Sequence, residues 1–148
     1  MKKTVTLTLA FTVLALMGYS QNKIQNRSKK NFKDVTLQSF KILPSEVEGC
    51  SCYFYASEKD QKSEKYLLVN DYANTAFIML NGKLEKFLLK FHDEKINKYV
   101  YKHGVDLLEV KVTKWKKSGY EESTVKGIIK LTKKGYTIQK SFIGSCGC

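Results

Sequence analysis

The four cysteines of this chain occur as two Cys-x-Cys pairs, Cys50-Ser51-Cys52 and Cys146-Gly147-Cys148. Residues i and i+2 of a β-strand point to the same side of a sheet. Two such strands paired antiparallel would place Cys50 opposite Cys148 and Cys52 opposite Cys146. Two nested disulfides would then tie the last strand to the start of the ordered chain. In the entropic model, a first bridge across a loop of roughly a hundred residues stabilises a fold by about 4 to 5 kcal/mol.

The sequence leaves other uses of these cysteines open. Crossed pairing and two strained local rings are the remaining disulfide connectivities. The main chemical alternative is a metal site made by Cys50, Cys52, Cys146 and Cys148, because four thiolates bind zinc or cuprous copper. Structural zinc sites usually separate paired cysteines by two to four residues rather than one. A redox-active Cys-x-Cys is a further alternative. We predict disulfides and no cofactor.

The first twenty residues have the features of a secretory signal peptide. Lys2 and Lys3 precede an apolar stretch over residues 5–17, and Ser20 is a small residue at the expected cleavage position. The apolar stretch is shorter than the roughly 20 residues of a spanning helix, which disfavours a membrane anchor. We therefore predict a signal peptide over 1–20, a flexible basic segment over 21–34 and a single β domain over 35–148. The mature protein is expected to be exported, periplasmic or secreted, and soluble, in a compartment that permits disulfides.

Short apolar runs separated by turn residues predict a mostly β fold. Leu108, Val110 and Val112 alternate with polar residues, and residues 125, 127, 129 and 131 share one face of a returning segment. Charged residues 58–64 and 92–98 are expected to be connections, and Gly144 to loosen the chain. We predict a small antiparallel β-barrel or sandwich of about eight strands, with one short helix allowed. The expected strands cover residues 38–43, 52–55, 66–69, 75–80, 99–101, 108–112, 124–131 and 136–143.

Asn81-Gly82 gives two conflicting signals. Asn-Gly favours the type I′ turn of a β-hairpin, and it separates two apolar segments. However, Leu84, Phe87 and Leu88 have the spacing of an amphipathic helix, for which Asn81 would be the N-cap. We favour the hairpin, with residues 84–91 as a strand.

The chain carries 26 Lys and Arg residues against 14 Asp and Glu residues, a formal charge of +12. Arg27 is its one arginine, and lysine favours loose attraction to anions over the planar recognition of phosphate or guanine. Eight lysines lie between residues 111 and 134, with two aromatic residues among them. We predict a binding surface there, although the solvated face of a hairpin would show the same pattern. Its residues are Lys114, Trp115, Lys116, Lys117 and Tyr120.

Catalytic motifs are not evident. His92 and His103 lie in predicted connections, and no nucleophile elbow, phosphate-binding loop or zinc-protease pattern is present. The function expected is a non-enzymatic binding or structural module of the cell envelope, stabilised by disulfides. Its partner would be an anionic envelope component or an acidic protein, with no nucleic acid involved. A four-cysteine metal-binding protein and an enzyme with a dispersed site are the alternatives.

Overall fold

The computed structural model of the chain describes residues 35–72 and 74–148. All of these belong to one compact unit. The predicted signal peptide and the predicted basic segment lie outside the described residues. The described part contains nine strands and one short helix. They are β1 (Leu37–Gln38), β2 (Ser51–Tyr55), α1 (Glu58–Lys62), β3 (Tyr66–Asn70), β4 (Thr75–Leu80), β5 (Lys83–Asp93), β6 (Lys98–His103), β7 (Asp106–Lys117), β8 (Glu122–Lys133) and β9 (Tyr136–Gly147).

Strands β2 to β9 form a closed antiparallel barrel. Each strand pairs with the next along the chain, and β9 pairs back with β2. The prediction of a mostly β, antiparallel fold of about eight strands is therefore confirmed, and the closure identifies it as a barrel. No helix among the described residues has the length and apolar character needed to cross a bilayer.

The extra strand, β1, fills a gap in the barrel wall. Strands β3 and β4 pair only at Val69 with Phe77 and at Asn70 with Ala76. Further along, β1 pairs with β4, and Phe40 forms a bridge to Tyr66 of β3 with backbone distances of 2.9 and 2.8 Å. The segment thus supplies hydrogen bonds that β3 and β4 do not give each other, which satisfies backbone groups in the wall.

The side chains at alternate positions of the strands fill the barrel interior. Val125, Ile129 and Leu131 of β8 are buried against the inward residues of the other strands, as their spacing predicted. A second cluster lies outside the barrel, where residues 40–47 cover the outer face of β2 and β3. Strand β3 is consequently buried along its whole length, which explains the apolar run over residues 66–69.

The Asn81-Gly82 hairpin is confirmed. Both residues have positive φ angles, 50° and 78°, and Leu80 lies opposite Lys83. The helical spacing of residues 84–91 was misleading, because this segment is strand β5. Its apolar residues point to both sides of the barrel wall, Phe87 inward and Leu88 outward.

Several element boundaries differ from those predicted. Residues 58–64, expected as a loop, contain α1, whose first turn is capped by the Ser57 hydroxyl accepting from the Asp60 amide. Strand β1 ends at Gln38 rather than continuing to residue 43, and β5 extends to Asp93 into the predicted connection. Gly144 continues β9 instead of loosening the chain, and a Cβ at this position would clash with the Tyr53 carbonyl oxygen, so that the close strand approach requires glycine.

The two disulfides join Cys50 to Cys148 and Cys52 to Cys146. This is the nested connectivity expected from antiparallel pairing, and Cys52 lies directly opposite Cys146 in the β2–β9 ladder. The inner pair is buried, whereas Cys50 and Cys148 are exposed. Two disulfides indicate a protein that matures in an oxidising compartment.

Candidate binding surface

A β-bulge in β7 determines where the predicted binding residues point. Val112 lies opposite Gly127, but the next pair is Lys114 with Lys126, so Thr113 is the extra residue. A bulge reverses the alternation of side chains beyond it. The simple alternation of residues 108–112 therefore does not continue to the end of the strand.

The five residues of the predicted surface are divided between different sides of the barrel. Lys114 and Lys116 point outward, whereas Trp115 pairs with Val125, whose side chain is in the interior. Lys117 is the last residue of β7, and its Nζ lies 6.0 Å from the centre of the Tyr120 ring. Tyr120 is 91% exposed in the β7–β8 turn. Trp115 thus does not share a face with Lys114 and Lys116.

The outward positions of β6, β7 and β8 instead carry a group of lysines that we call the lysine face. Cross-strand pairing places Lys98 opposite Lys111, and Lys114 opposite Lys126. Sequence reasoning missed Lys98, because it lies at the end of a segment that was expected to be a charged connection. The members of the lysine face are Lys98, Lys111, Lys114, Lys116, Lys126 and Lys130.

Glu109 is the carboxylate at the centre of this face. It forms ion pairs with Lys98 and with Lys130, the second at 3.3 Å. The hydrogen bond from Lys98 and, after it, that from Lys130 lower the pKa of Glu109 despite its burial. Glu109 is therefore ionised at neutral pH and holds two of the lysines in place.

The other lysines of the face are not neutralised in this way. Across residues 35–72 and 74–148, Lys114 and Lys126 form no ion pair, although they are direct cross-strand partners. Like charges directly opposite each other in a sheet are destabilising. The arrangement is therefore unfavourable for the fold taken alone.

A shallow groove crosses the lysine face. It has a volume of about 300 Å³ and is lined by the lysines and carboxylate around Glu109 together with Ile96, Ile128 and Gln139. Ile96 is 48% exposed in the β5–β6 turn. The groove consequently offers ammonium groups and apolar contacts side by side.

Trp115 lies at one end of the barrel, which we call the mouth. It lines a small cavity there with Tyr72, Tyr99 and the buried disulfide. The cavity measures about 20 Å³, which is room for about one water molecule. Burial raises the pKa of Tyr99, whose ring stacks on His92 at 3.9 Å between centroids. The mouth is thus an aromatic cluster that is partly open to solvent at Tyr72 and Trp115, around a cavity of about one water molecule.

The four-cysteine metal site is wrong, because all four sulfur atoms are bonded in disulfides. Among the residues that the structure describes, His, Cys, Asp and Glu side chains form no cluster of three or more that could hold a metal ion. His92 lies on β5 and His103 at the end of the neighbouring strand β6. His103 Nδ1 donates to the Lys86 carbonyl oxygen over 2.8 Å, and its Nε2 lies 3.4 Å from a carboxylate oxygen of Glu85.

Comparisons of the chain with protein-family models, with curated proteins and with solved structures gave no match.

Proposed function

We propose that this protein is an exported, non-enzymatic binding module that holds an anionic component of the cell envelope on its lysine face. The observation that carries the proposal is the direct opposition of Lys114 and Lys126 without a compensating carboxylate. Such a pair destabilises the isolated protein. An anionic partner would remove that repulsion, so the unfavourable arrangement would become favourable on binding.

The composition of the face supports an extended anion over a small one. Six lysines are distributed over three strands, and a single carboxylate, Glu109, lies between them. Strands hold their side chains about 4.7 to 4.9 Å from those of the next strand, so the ammonium groups form a broad field. A field of this kind attracts polyanions without reading a precise shape.

The export part of the proposal rests on the sequence of residues 1–20 and on the two disulfides. In the periplasm or outside the cell, acidic envelope polymers, anionic lipids and acidic proteins are the polyanions available. The barrel would act as a rigid, disulfide-stabilised support for the face.

Binding to dextran sulfate tests the use of the lysine face. We expect the variant K111S/K114S/K126S to lose at least tenfold in affinity at low salt, since a lysine near an anionic surface contributes about 1 kcal/mol. The matched control K59S/K62S/K65S removes the same charge from exposed positions around α1 and should change the affinity less than threefold. Equal losses in both variants would show that only net charge matters and would refute the proposed site.

A further inference from the structure

The outer wall of the barrel carries exposed apolar side chains beside the lysine face. On β5, Leu88 is 47% and Phe91 is 57% exposed. Phe91 lies directly opposite the half-buried Val100 of β6. We call these three residues the apolar strip. Contiguous exposed apolar groups on a protein surface mark contacts with a partner or a membrane.

Lysines flank the apolar strip, although two carboxylates also border it: Glu109 lies opposite Val100, and Asp93 lies opposite Lys98. Lys102 is the cross-strand partner of Leu88, Lys98 lies two residues from Val100 on the same side of β6, and Lys90 is exposed between Leu88 and Phe91. The register shift at Lys90 keeps both Leu88 and Phe91 on the outside. Because Lys98 belongs also to the lysine face, the strip and the face form one continuous surface.

We propose that the anionic partner is a lipid surface, onto which the barrel docks with β5 and β6 so that Leu88 and Phe91 enter the headgroup region. The proposal rests on the proposed function and names its partner. A soluble polyanion satisfies the lysines but provides nothing apolar for Phe91. An anionic bilayer satisfies both, because its phosphates lie at the level of the ammonium groups and its acyl chains lie just beneath.

The shape of the surface agrees with this docking. The outside of a closed barrel is convex, so that a strip on two neighbouring strands can touch a flat surface without the rest of the wall. Lysine side chains extend along such a surface with their ammonium groups at the phosphates. Membrane binding of this kind is peripheral and depends on both charge and apolar contact.

Sedimentation with vesicles tests the proposal. The probes are vesicles of phosphatidylglycerol with phosphatidylcholine, vesicles of phosphatidylcholine alone, and dextran sulfate. We expect the wild type to bind the anionic vesicles. The variant L88S/F91S should bind them with at least tenfold lower affinity, while its affinity for dextran sulfate changes less than twofold. The control I42S/V105S removes two apolar side chains that are 86% and 94% exposed elsewhere and should bind as the wild type does.

The outcomes separate the two proposals. Dextran sulfate binding without binding to anionic vesicles, or vesicle binding that L88S/F91S leaves intact, overturns the lipid proposal and leaves a soluble polymer or an acidic protein as the partner. Binding to neither probe overturns the proposed function itself. As a second readout, the tryptophan fluorescence of the variant F91W/W115F should be quenched when it binds vesicles of brominated phosphatidylglycerol. Absence of quenching on bound vesicles would place Phe91 away from the bilayer and contradict the docking.

Discussion

The losses from removing each disulfide alone should add up to less than the loss from removing both together. The bridges join residues 98 and 94 positions apart, so either one alone closes almost the same large loop. In the entropic model a loop of this size corresponds to about 4.7 kcal/mol. Once Cys52 and Cys146 are bonded, however, the bridge from Cys50 to Cys148 closes a ring of only the six residues 50–52 and 146–148. The same relation gives about 2.2 kcal/mol for that ring.

The variant C50A/C148A should therefore lose about 2 kcal/mol in the free energy of unfolding. The variant with all four cysteines replaced by alanine should lose about 7 kcal/mol from loop closure and about 2 kcal/mol more from the two buried sulfur atoms, about 9 kcal/mol in total. C52A/C146A should lose about 2 kcal/mol for the ring plus on the order of 1 kcal/mol for each buried sulfur removed. Cys50 and Cys148 are exposed, so that C50A/C148A tests the loop argument without a change in the core.

Urea denaturation measures these differences, with the far-ultraviolet circular dichroism of the barrel as the signal and the fluorescence of Trp115, the one tryptophan, as a second probe. The extent of unfolding must be the same by both probes for the free energies to be compared. A loss of 4 kcal/mol or more in C50A/C148A would show that the outer bridge constrains the large loop by itself, and the nested argument would be wrong. A total loss that equals the sum of the two double variants would contradict it as well.

Three further predictions concern the barrel wall. G127A should lower the free energy of unfolding by about 2 to 3 kcal/mol in urea titrations, because the added Cβ would clash with the backbone carbonyl oxygen of Lys111. The control G119A should change it by less than about 0.5 kcal/mol, because the atom nearest to its added Cβ is 3.4 Å away. K126E should raise the free energy of unfolding by about 0.5 to 1 kcal/mol at low salt, because the new carboxylate would face Lys114, and it should weaken dextran sulfate binding. An unchanged stability at low salt would contradict the repulsion argument. E109Q should be less stable than the wild type near pH 7, and the difference should shrink as the pH falls through the folded pKa of Glu109. The lowered pKa gives stability that is present above the unfolded pKa and lost below the folded one.

The sequence predicted the barrel's strands where a local signal coincided with the long-range pairing. The Asn81-Gly82 turn and the alternation along β8 each depend on nearby residues, and both appear in the structure. The cysteine spacing predicted disulfides and left three connectivities open, and the structure has the nested one that antiparallel strands would give. The pairing of β1 with β4 and the bridge from Phe40 to β3 had no such signal, since both depend on where β3 and β4 diverge.

The arrangement of the predicted binding residues was harder to predict than the fold for a specific reason. A single extra residue at Thr113 turns Lys114 and Lys116 to the outside and Trp115 toward the mouth. Nothing in the local composition marks that bulge, because threonine is an ordinary strand residue. A sequence that interleaves aromatic and basic residues therefore predicted a common face for side chains that the register separates.

The packing of the interior limits where any ligand can bind. The cavity at the mouth has room for about one water molecule, and the side chains of Phe54, Tyr101 and Leu108 fill the barrel behind it. A barrel of eight strands can be filled by its own side chains or hold one small ligand, and this one is of the filled kind. The proposed binding site therefore lies on the outer wall. There the unneutralised lysines opposite each other and the exposed Phe91 are each unfavourable in water, and an anionic bilayer would make both favourable at once.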